Sequence, residues 1–282
     1  MKQNNNHQNG TTLTAESLRI GYLEQVVIQN LGVTIQEGQI TALVGPNGSG
    51  KSTLLKTLAR LIKPMNGAVY LDGRAISQLP TAEVARRLAI LPQGPSAPPT
   101  LTVSELVEQG RFPHAGPLRM LRRQDHQAID AALQLTGMTN FAQRRLDNLS
   151  GGERQRAWIA LALAQATPIL LLDEPTTFLD IGHQLEVLAL VQSLNRERNM
   201  TIVLVLHDLN QAAQYAHRMI VMQRGAIVAD GEPAATLTQT LLADVFRVRA
   251  HIVADPESGA PVCLPYAHVE QHEKTTQNVS GR

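Results

Sequence analysis

Gly45-Pro46-Asn47-Gly48-Ser49-Gly50-Lys51-Ser52-Thr53 is a complete G-x-x-x-x-G-K-[ST] phosphate-binding loop. Upstream, Ile40-Thr41-Ala42-Leu43-Val44 is a short, apolar, β-rich run. Downstream, STLLKTLARLI (52–62) carries apolar residues at three- and four-residue spacing, as an amphipathic helix does. This strand–loop–helix context is the one the motif requires. Its glycines let the backbone curl until successive N–H groups face a phosphate chain, and the helix start adds unpaired N–H groups and its positive dipole end. Lys51 is then placed for the β- and γ-phosphates and the Ser52 hydroxyl for Mg²⁺.

Such a loop needs acidic partners, and Ile169-Leu170-Leu171-Leu172-Asp173-Glu174 supplies them. Four consecutive aliphatics fit a strand buried on both faces of a parallel sheet. The run stops at two acids on the carboxyl edge, where open α/β folds place their ligands. Asp173 is the expected Mg²⁺ partner, and Glu174 the candidate to polarise an attacking water.

Between these segments lies Leu149-Ser150-Gly151-Gly152-Glu153-Arg154-Gln155-Arg156, which precedes a helical run over 157–166. Ser150, Gly151 and Gly152 open that helix, so hydroxyl, backbone N–H groups and dipole make a second anion site. With this stretch, Glu153 included, the chain resembles the ATP-binding cassette (ABC) ATPases, whose signature LSGGERQR matches. The resemblance implies that two cassettes pack head to tail, the signature of one closing over ATP held by the other. It implies ATP as substrate and Mg²⁺ as cofactor.

Smaller elements follow the same family's order. Tyr22 resembles the aromatic that stacks on adenine. Gln93, after Leu88-Ala89-Ile90-Leu91-Pro92, resembles the glutamine that reaches Mg²⁺ and the attacking water. His207, closing the buried run 202–206, resembles the switch histidine that touches the γ-phosphate and holds Glu174. Asp180 matches the loop that crosses the dimer interface. The resemblance covers 13–264.

The composition is compatible with this and narrows it. The 282 residues are 43% hydrophobic and 3% aromatic, with net charge +1, so nothing suggests a nucleic-acid-binding surface. Nine histidines show no metal-ligand spacing, and the single Cys263 supports neither a zinc site nor an internal disulfide, as in a reducing compartment. The most apolar stretch, 158–172, is interrupted by Gln165, Thr167 and Pro168 and falls short of the ~20 residues that span a bilayer. The first residues, MKQNNNHQNGTT, have no apolar core and do not read as a signal peptide.

The expected fold is α/β: a P-loop NTPase, an ABC-type nucleotide-binding domain over 13–266 with an antiparallel β edge and a helical subdomain at about 98–167. Polar, disordered tails are expected at 1–12 and 267–282. The proline-rich break GPSAPP (94–99) marks the change to helical character, with helices at 102–109 and 124–135. Helices are further expected at 81–87, 183–195 and 237–246, and strands at 67–71, near 201, across MIVMQRGAIVADGE, and near 252 and 262. In the resembled family, the cleft near Gln93 receives a helix of the membrane subunit.

The resemblance implies a transport motor: a peripheral ATPase on the cytoplasmic face of the inner membrane, dimerising on integral-membrane permease subunits and served indirectly by a periplasmic or extracellular binding protein. A soluble ABC protein acting on nucleic acid or the ribosome is the competitor. It usually carries two cassettes, coiled-coil insertions or basic extensions, none of which is present. A small-molecule P-loop kinase needs neither the signature nor Gln93 and His207. Phrases such as TTFLDIGHQLEVL (176–188), RFPH (111–114) and HDLNQAA (207–213) look like the ATPases of ferric-siderophore, haem and cobalamin importers. AWIA (157–160) and PTTFLD favour ferric siderophore, leaving haem, cobalamin and, further off, zinc or manganese as alternatives.

Overall fold

The computed structural model describes residues 12–23, 25–114 and 121–269. The chain opens with β1 (Leu13–Tyr22) and β2 (Gln25–Ile35), an antiparallel pair in which Leu13 faces Ile35. Leu13 and Ala15 point inward; a bulge around Ser17 (φ 48°) resets the phase so that Leu18 and Ile20 are buried too. After β3 (Ile40–Val44) and α1 (Lys51–Leu58), β4 (Asn66–Leu71) and β5 (Arg74–Ala75) join this pair in a four-stranded sheet of order β2-β1-β4-β5. The antiparallel part is therefore a separate sheet as well as an edge.

The chain continues through α2 (Thr81–Ala85) and β6 (Leu88–Leu91) into the helices α3 (Val103–Glu108), α4 (Arg123–Leu135) and α5 (Gly151–Ala164). These three pack on one another as the helical subdomain. The α/β alternation then resumes with β7 (Ile169–Asp173), α6 (Ile181–Arg198), β8 (Thr201–Val205) and α7 (Leu209–Tyr215). The hairpin β9 (Arg218–Gln223) and β10 (Ala226–Gly231) completes a six-stranded sheet, order β10-β9-β3-β8-β7-β6. Only the β10–β9 pairing in it is antiparallel.

All residues of β3, β7 and β8 are buried, because the sheet is covered on both faces. Ile40, Ala42, Leu170, Leu172, Ile202 and Leu204 face the side packed by α3 to α7. Leu43, Ile169, Leu171, Val203 and Val205 face α1 and the antiparallel sheet. Each such aliphatic contributes about 1.5–3 kcal/mol on burial.

Several boundaries differ from expectation. The first helix stops at Leu58 rather than at 62, because Arg60 turns left-handed (φ 62°) and the N–H groups of Arg60 and Leu61 close on Thr57 O and Lys56 O. Helix α6 starts two residues earlier and runs to Arg198, since Asp180 caps it. The helix expected at 237–246 is a broken series: α8 (Pro233–Thr236), a turn at Gln239–Leu241, and a π-helical segment, Leu242–Phe246, ended by left-handed Arg247. The closing strands are β11 (Val248–Ala254) and β12 (Pro261–His268). His268 pairs with Val248, so 267 and 268 belong to this hairpin rather than to a tail. Thr12 and Val269 are likewise tied to the fold, Thr12 N donating to Asp72 Oδ1 (2.8 Å) and Val269 N to Arg247 O (2.8 Å), while the remaining tail positions, 1–11 and 270–282, lie outside the described residues.

Candidate nucleotide site

Parallel strands deliver their loops to one edge, and here β3, β7 and β8 end in register, Leu43 and Asp173 both opposite Val205. The phosphate loop leaves β3 at Gly45, whose φ of 146° and close approach to β9 exclude a side chain: a Cβ there would lie 2.1 Å from the Met222 carbonyl oxygen. Ser49 O accepts from Gly225 N (3.0 Å), which ties the loop to the β9–β10 turn. Gly50 begins α1 in a left-handed conformation with no side-chain cap, leaving the helix start to other acceptors. Lys51, buried, donates to Gly45 O (2.8 Å) and Pro46 O (3.0 Å). Burial pulls its pKa down; the negative charges of Glu174 and Asp173 oppose that shift.

Ser52 Oγ donates to Asp173 Oδ1 at 2.7 Å, joining the loop to the end of β7. Asp173 Oδ2 is buried with no hydrogen-bond partner among the described residues. The nearest cation, Lys56 Nζ, stands 3.5 Å away as an ion pair. A half-buried hydroxyl and a carboxylate with one unbonded oxygen are hard-oxygen donors of the kind Mg²⁺ takes alongside phosphates. Ser49 Oγ is likewise buried and unbonded at the loop. Among the described residues, no cluster of His, Cys, Asp and Glu forms a metal site without a phosphate.

Glu174 follows in a left-handed conformation (φ 54°), a strained backbone of the kind found at functional positions. Its carboxylate is held from three sides. Gln93 Nε2 donates to Oε2 (2.5 Å), Thr177 Oγ1 donates to the same oxygen (3.1 Å), and His207 Nε2 lies 2.7 Å from Oε1. Asp208, the next residue, caps α7 by accepting from Asn210 N and Gln211 N. Tyr22 is half exposed, its hydroxyl 3.3 Å from Thr53 Oγ1, so a ring stands beside the loop. Pro46, Asn47 and Gly48 complete the loop's outer rim, where they line a cavity with Arg224 and Phe246.

The signature stands apart. Ser150 caps α5, accepting from Glu153 N (3.2 Å), while Glu153 Oε2 accepts from Ser150 N (2.8 Å). That backbone bond, before the lesser pull of Arg144 and Arg156, holds the Glu153 carboxyl below its ordinary value. Gly151 and Gly152 form the first turn. Among the described residues, no hydrogen bond or ion pair links 150–153 to the phosphate loop. Asp180 caps α6 at 2.9 Å from His183 N. Beside it Phe178 is left-handed (φ 65°) and 98% exposed.

Sequence reasoning missed Lys56, Thr177 and Phe178. Lys56 was findable, lying four residues after Ser52 and hence on the same helical face. Thr177 and Phe178 were read only as part of the PTTFLD phrase, which carried no signal for a place beside Glu174. Among the described residues, no helix is long and apolar enough to cross a membrane.

Comparison with known proteins agrees with this geometry. Residues 28–177 match the family model described as ABC transporter. The chain is 48% identical over 263 residues to the iron(3+)-hydroxamate import ATP-binding protein of Bacillus subtilis, covering 93% of this chain and 98% of that protein. It is 48% identical over 253 residues to the ferric enterobactin transport ATP-binding protein of Escherichia coli, covering 90% and 93%. Among solved structures, one described as a metal-chelate type ABC transporter in an inward-facing conformation superposes with a TM-score of 0.78 at 30% identity, covering 92% of this chain and 98% of that one. A bacterial ABC transporter cassette solved as a dimer gives 0.69 at 30% identity, covering 78% and 98%. The phosphate loop, the signature and the acidic strand thus fall in a chain that belongs to the ABC transporter family, as one of its ATP-binding subunits, an ATPase coupled to transport.

Proposed function

We propose that this ATPase drives uptake of a ferric siderophore through a separate permease. The observation that carries the cargo is the 48% identity, nearly end to end, to two subunits named for ferric chelates. That the identity is the same for hydroxamate and enterobactin systems fits a motor that never touches what is carried.

The residues take the following parts in this reading. Gly45 to Thr53 and Tyr22 hold ATP. Ser52 and Asp173, joined by their 2.7 Å bond, would hold Mg²⁺ with Gln93 nearby. Mg²⁺ supplies charge neutralisation at the β- and γ-phosphates when bound. Glu174 accepts a proton from the attacking water, and Gln93, Thr177 and His207 fix its carboxylate so that one orientation dominates.

Ser150 to Glu153 serve the ATP of a second copy. The lack, among the described residues, of any hydrogen bond or ion pair between signature and phosphate loop is in keeping with that arrangement, and the dimeric form of a related cassette supports it. Asp180 borders the same interface. Membrane attachment then comes from the permease at the cleft near Gln93, which puts the chain on the cytoplasmic face of the inner membrane. A substrate-binding protein takes part only through the permease, and nucleic acid has no place in the cycle.

A strain carrying Lys51→Ala should grow normally in iron-rich medium and fail to take up its radiolabelled ferric siderophore when iron is scarce. Undiminished uptake of every iron chelate, together with lost uptake of haem or cobalamin, would move the cargo and leave the motor intact.

A further inference from the structure

The two parts of this chain expected to face a second copy, the signature turn and the loop at Asp180, are joined by a residue with no part in the chemistry so far. His183 lies in the first turn of α6. Asp180 Oδ1 accepts from its backbone N–H (2.9 Å) and is 2.8 Å from its ring Nδ1. A carboxylate oxygen only accepts, so Nδ1 carries the proton and the ring is fixed in orientation.

The ring then lies flush against Gly152. A Cβ built on Gly152 would stand 2.1 Å from His183 Cδ2, 2.6 Å from Cγ and 2.9 Å from Nε2. Gly152 is buried, and its bare side faces this ring. About a turn further along both helices, Arg156 pairs with Glu186. On the other side, Leu179 Cδ2 lies within 3.8 Å of where a Gly151 Cβ would be. The start of α5 and the start of α6 are thus packed as one piece, with the imidazole as the filler between them.

We propose that His183 is a positioning residue that holds the Asp180 loop and the signature turn in one fixed relation, so that both meet the partner cassette together. Gly152 is then a glycine because of this ring, and not only because of nucleotide. The inference rests on the head-to-tail closure proposed above. It predicts a lesion in dimer closure with the chain's own ATP binding untouched, since neither residue borders its own phosphate loop.

The test uses the full chain in a Glu174→Gln background, with ATP-dependent dimerisation read by sedimentation and monomer ATP affinity read with a fluorescent nucleotide. His183→Ala should weaken dimerisation by roughly tenfold, the scale of coupling between residues in contact, while ATP affinity stays within about twofold. His183→Asn, whose amide can still reach Asp180, should dimerise better than His183→Ala. Gly152→Ala should abolish closure, and Gly152→Ala with His183→Ala should recover part of it, because removing the ring makes room for the methyl.

Dimerisation of His183→Ala equal to the parent would overturn the inference. So would a double variant no better than Gly152→Ala, or a loss of ATP affinity in step with dimerisation, which would mark a general structural lesion. A Glu174→Gln parent that forms no ATP-dependent dimer would overturn the closure reading itself and the inference with it.

Discussion

Replacing Lys56 with methionine removes the only cation paired with Asp173 Oδ2 among the described residues while keeping most of the stem that packs along α1. The charges are 3.5 Å apart, with Asp173 fully buried and Lys56 32% exposed. At an effective dielectric of ~20, Coulomb's law gives about 5 kcal/mol for such a pair. Partial exposure, the lack of a hydrogen bond and the entropy of fixing a lysine reduce this to a net of about 2 kcal/mol. For a chain of 282 residues that is a fall in Tm of roughly 3–4 °C.

The assay is thermal unfolding in EDTA without nucleotide, in two backgrounds. With Asp173→Asn, the buried group is neutral, and Lys56→Met should then cost less than about 0.5 kcal/mol. Lys56→Arg should restore most of the loss in the parent. Equal Tm losses from Lys56→Met in both backgrounds would refute the reasoning, since they would show that the lysine acts through packing and not through Asp173.

Glu174→Gln should keep ATP binding and lose about 10²–10⁴-fold in ATPase rate; activity within a few-fold of the parent would remove Glu174 from its assigned place. Ser150→Arg and Lys51→Ala should each fail to close a dimer on ATP, yet recover closure when mixed, because one composite site then carries both lesions and the other neither. Sedimentation of a proven mixture with no ATP-dependent dimer would count against the head-to-tail arrangement. Asp125 is buried beside Arg111, 2.9 Å away, and its carboxyl is held below its ordinary value first by the Arg122 N–H and also by that guanidinium. Because the folded value is depressed, its stabilisation is present above the unfolded value near 4 and is lost as pH falls below it. Asp125→Asn should therefore lower stability at pH 7 and flatten the acid limb of the stability curve measured by urea unfolding.

The sheet strands that carry the site were legible because their aliphatic runs have one reading in a doubly covered sheet. Ile40 to Val44 and Ile169 to Asp173 fall where the sequence placed them. Gln93 and His207 were findable only as members of an ordered set, and the structure brings each of them within hydrogen-bonding reach of Glu174. What stayed hidden depends on backbone geometry that composition does not encode. The left-handed turn at Arg60 shortens α1 without a glycine or an adjacent proline to announce it. The bulge at Ser17 breaks the alternation of β1 in a stretch that otherwise looks irregular. Contacts such as Gly152 against His183 join positions some thirty residues apart, and no local pattern signals them.

The burial of β3, β7 and β8 on both faces has a consequence for how this chain tolerates insertions and deletions. Where one face of a strand is wet, a one-residue slip exposes apolar groups and is rejected. Here a slip in ILLLD would exchange one aliphatic face for another at small cost in burial, while carrying Asp173 and Glu174 along the sheet by about 3.3 Å. Polar ties at the ends set the frame instead: Ser52 to Asp173, Thr201 N to Pro168 O, and Gly38 N to Thr201 Oγ1. A length change inside one of these strands should therefore leave a chain that folds and is inert, a defect that stability measurements would pass over and only turnover would reveal.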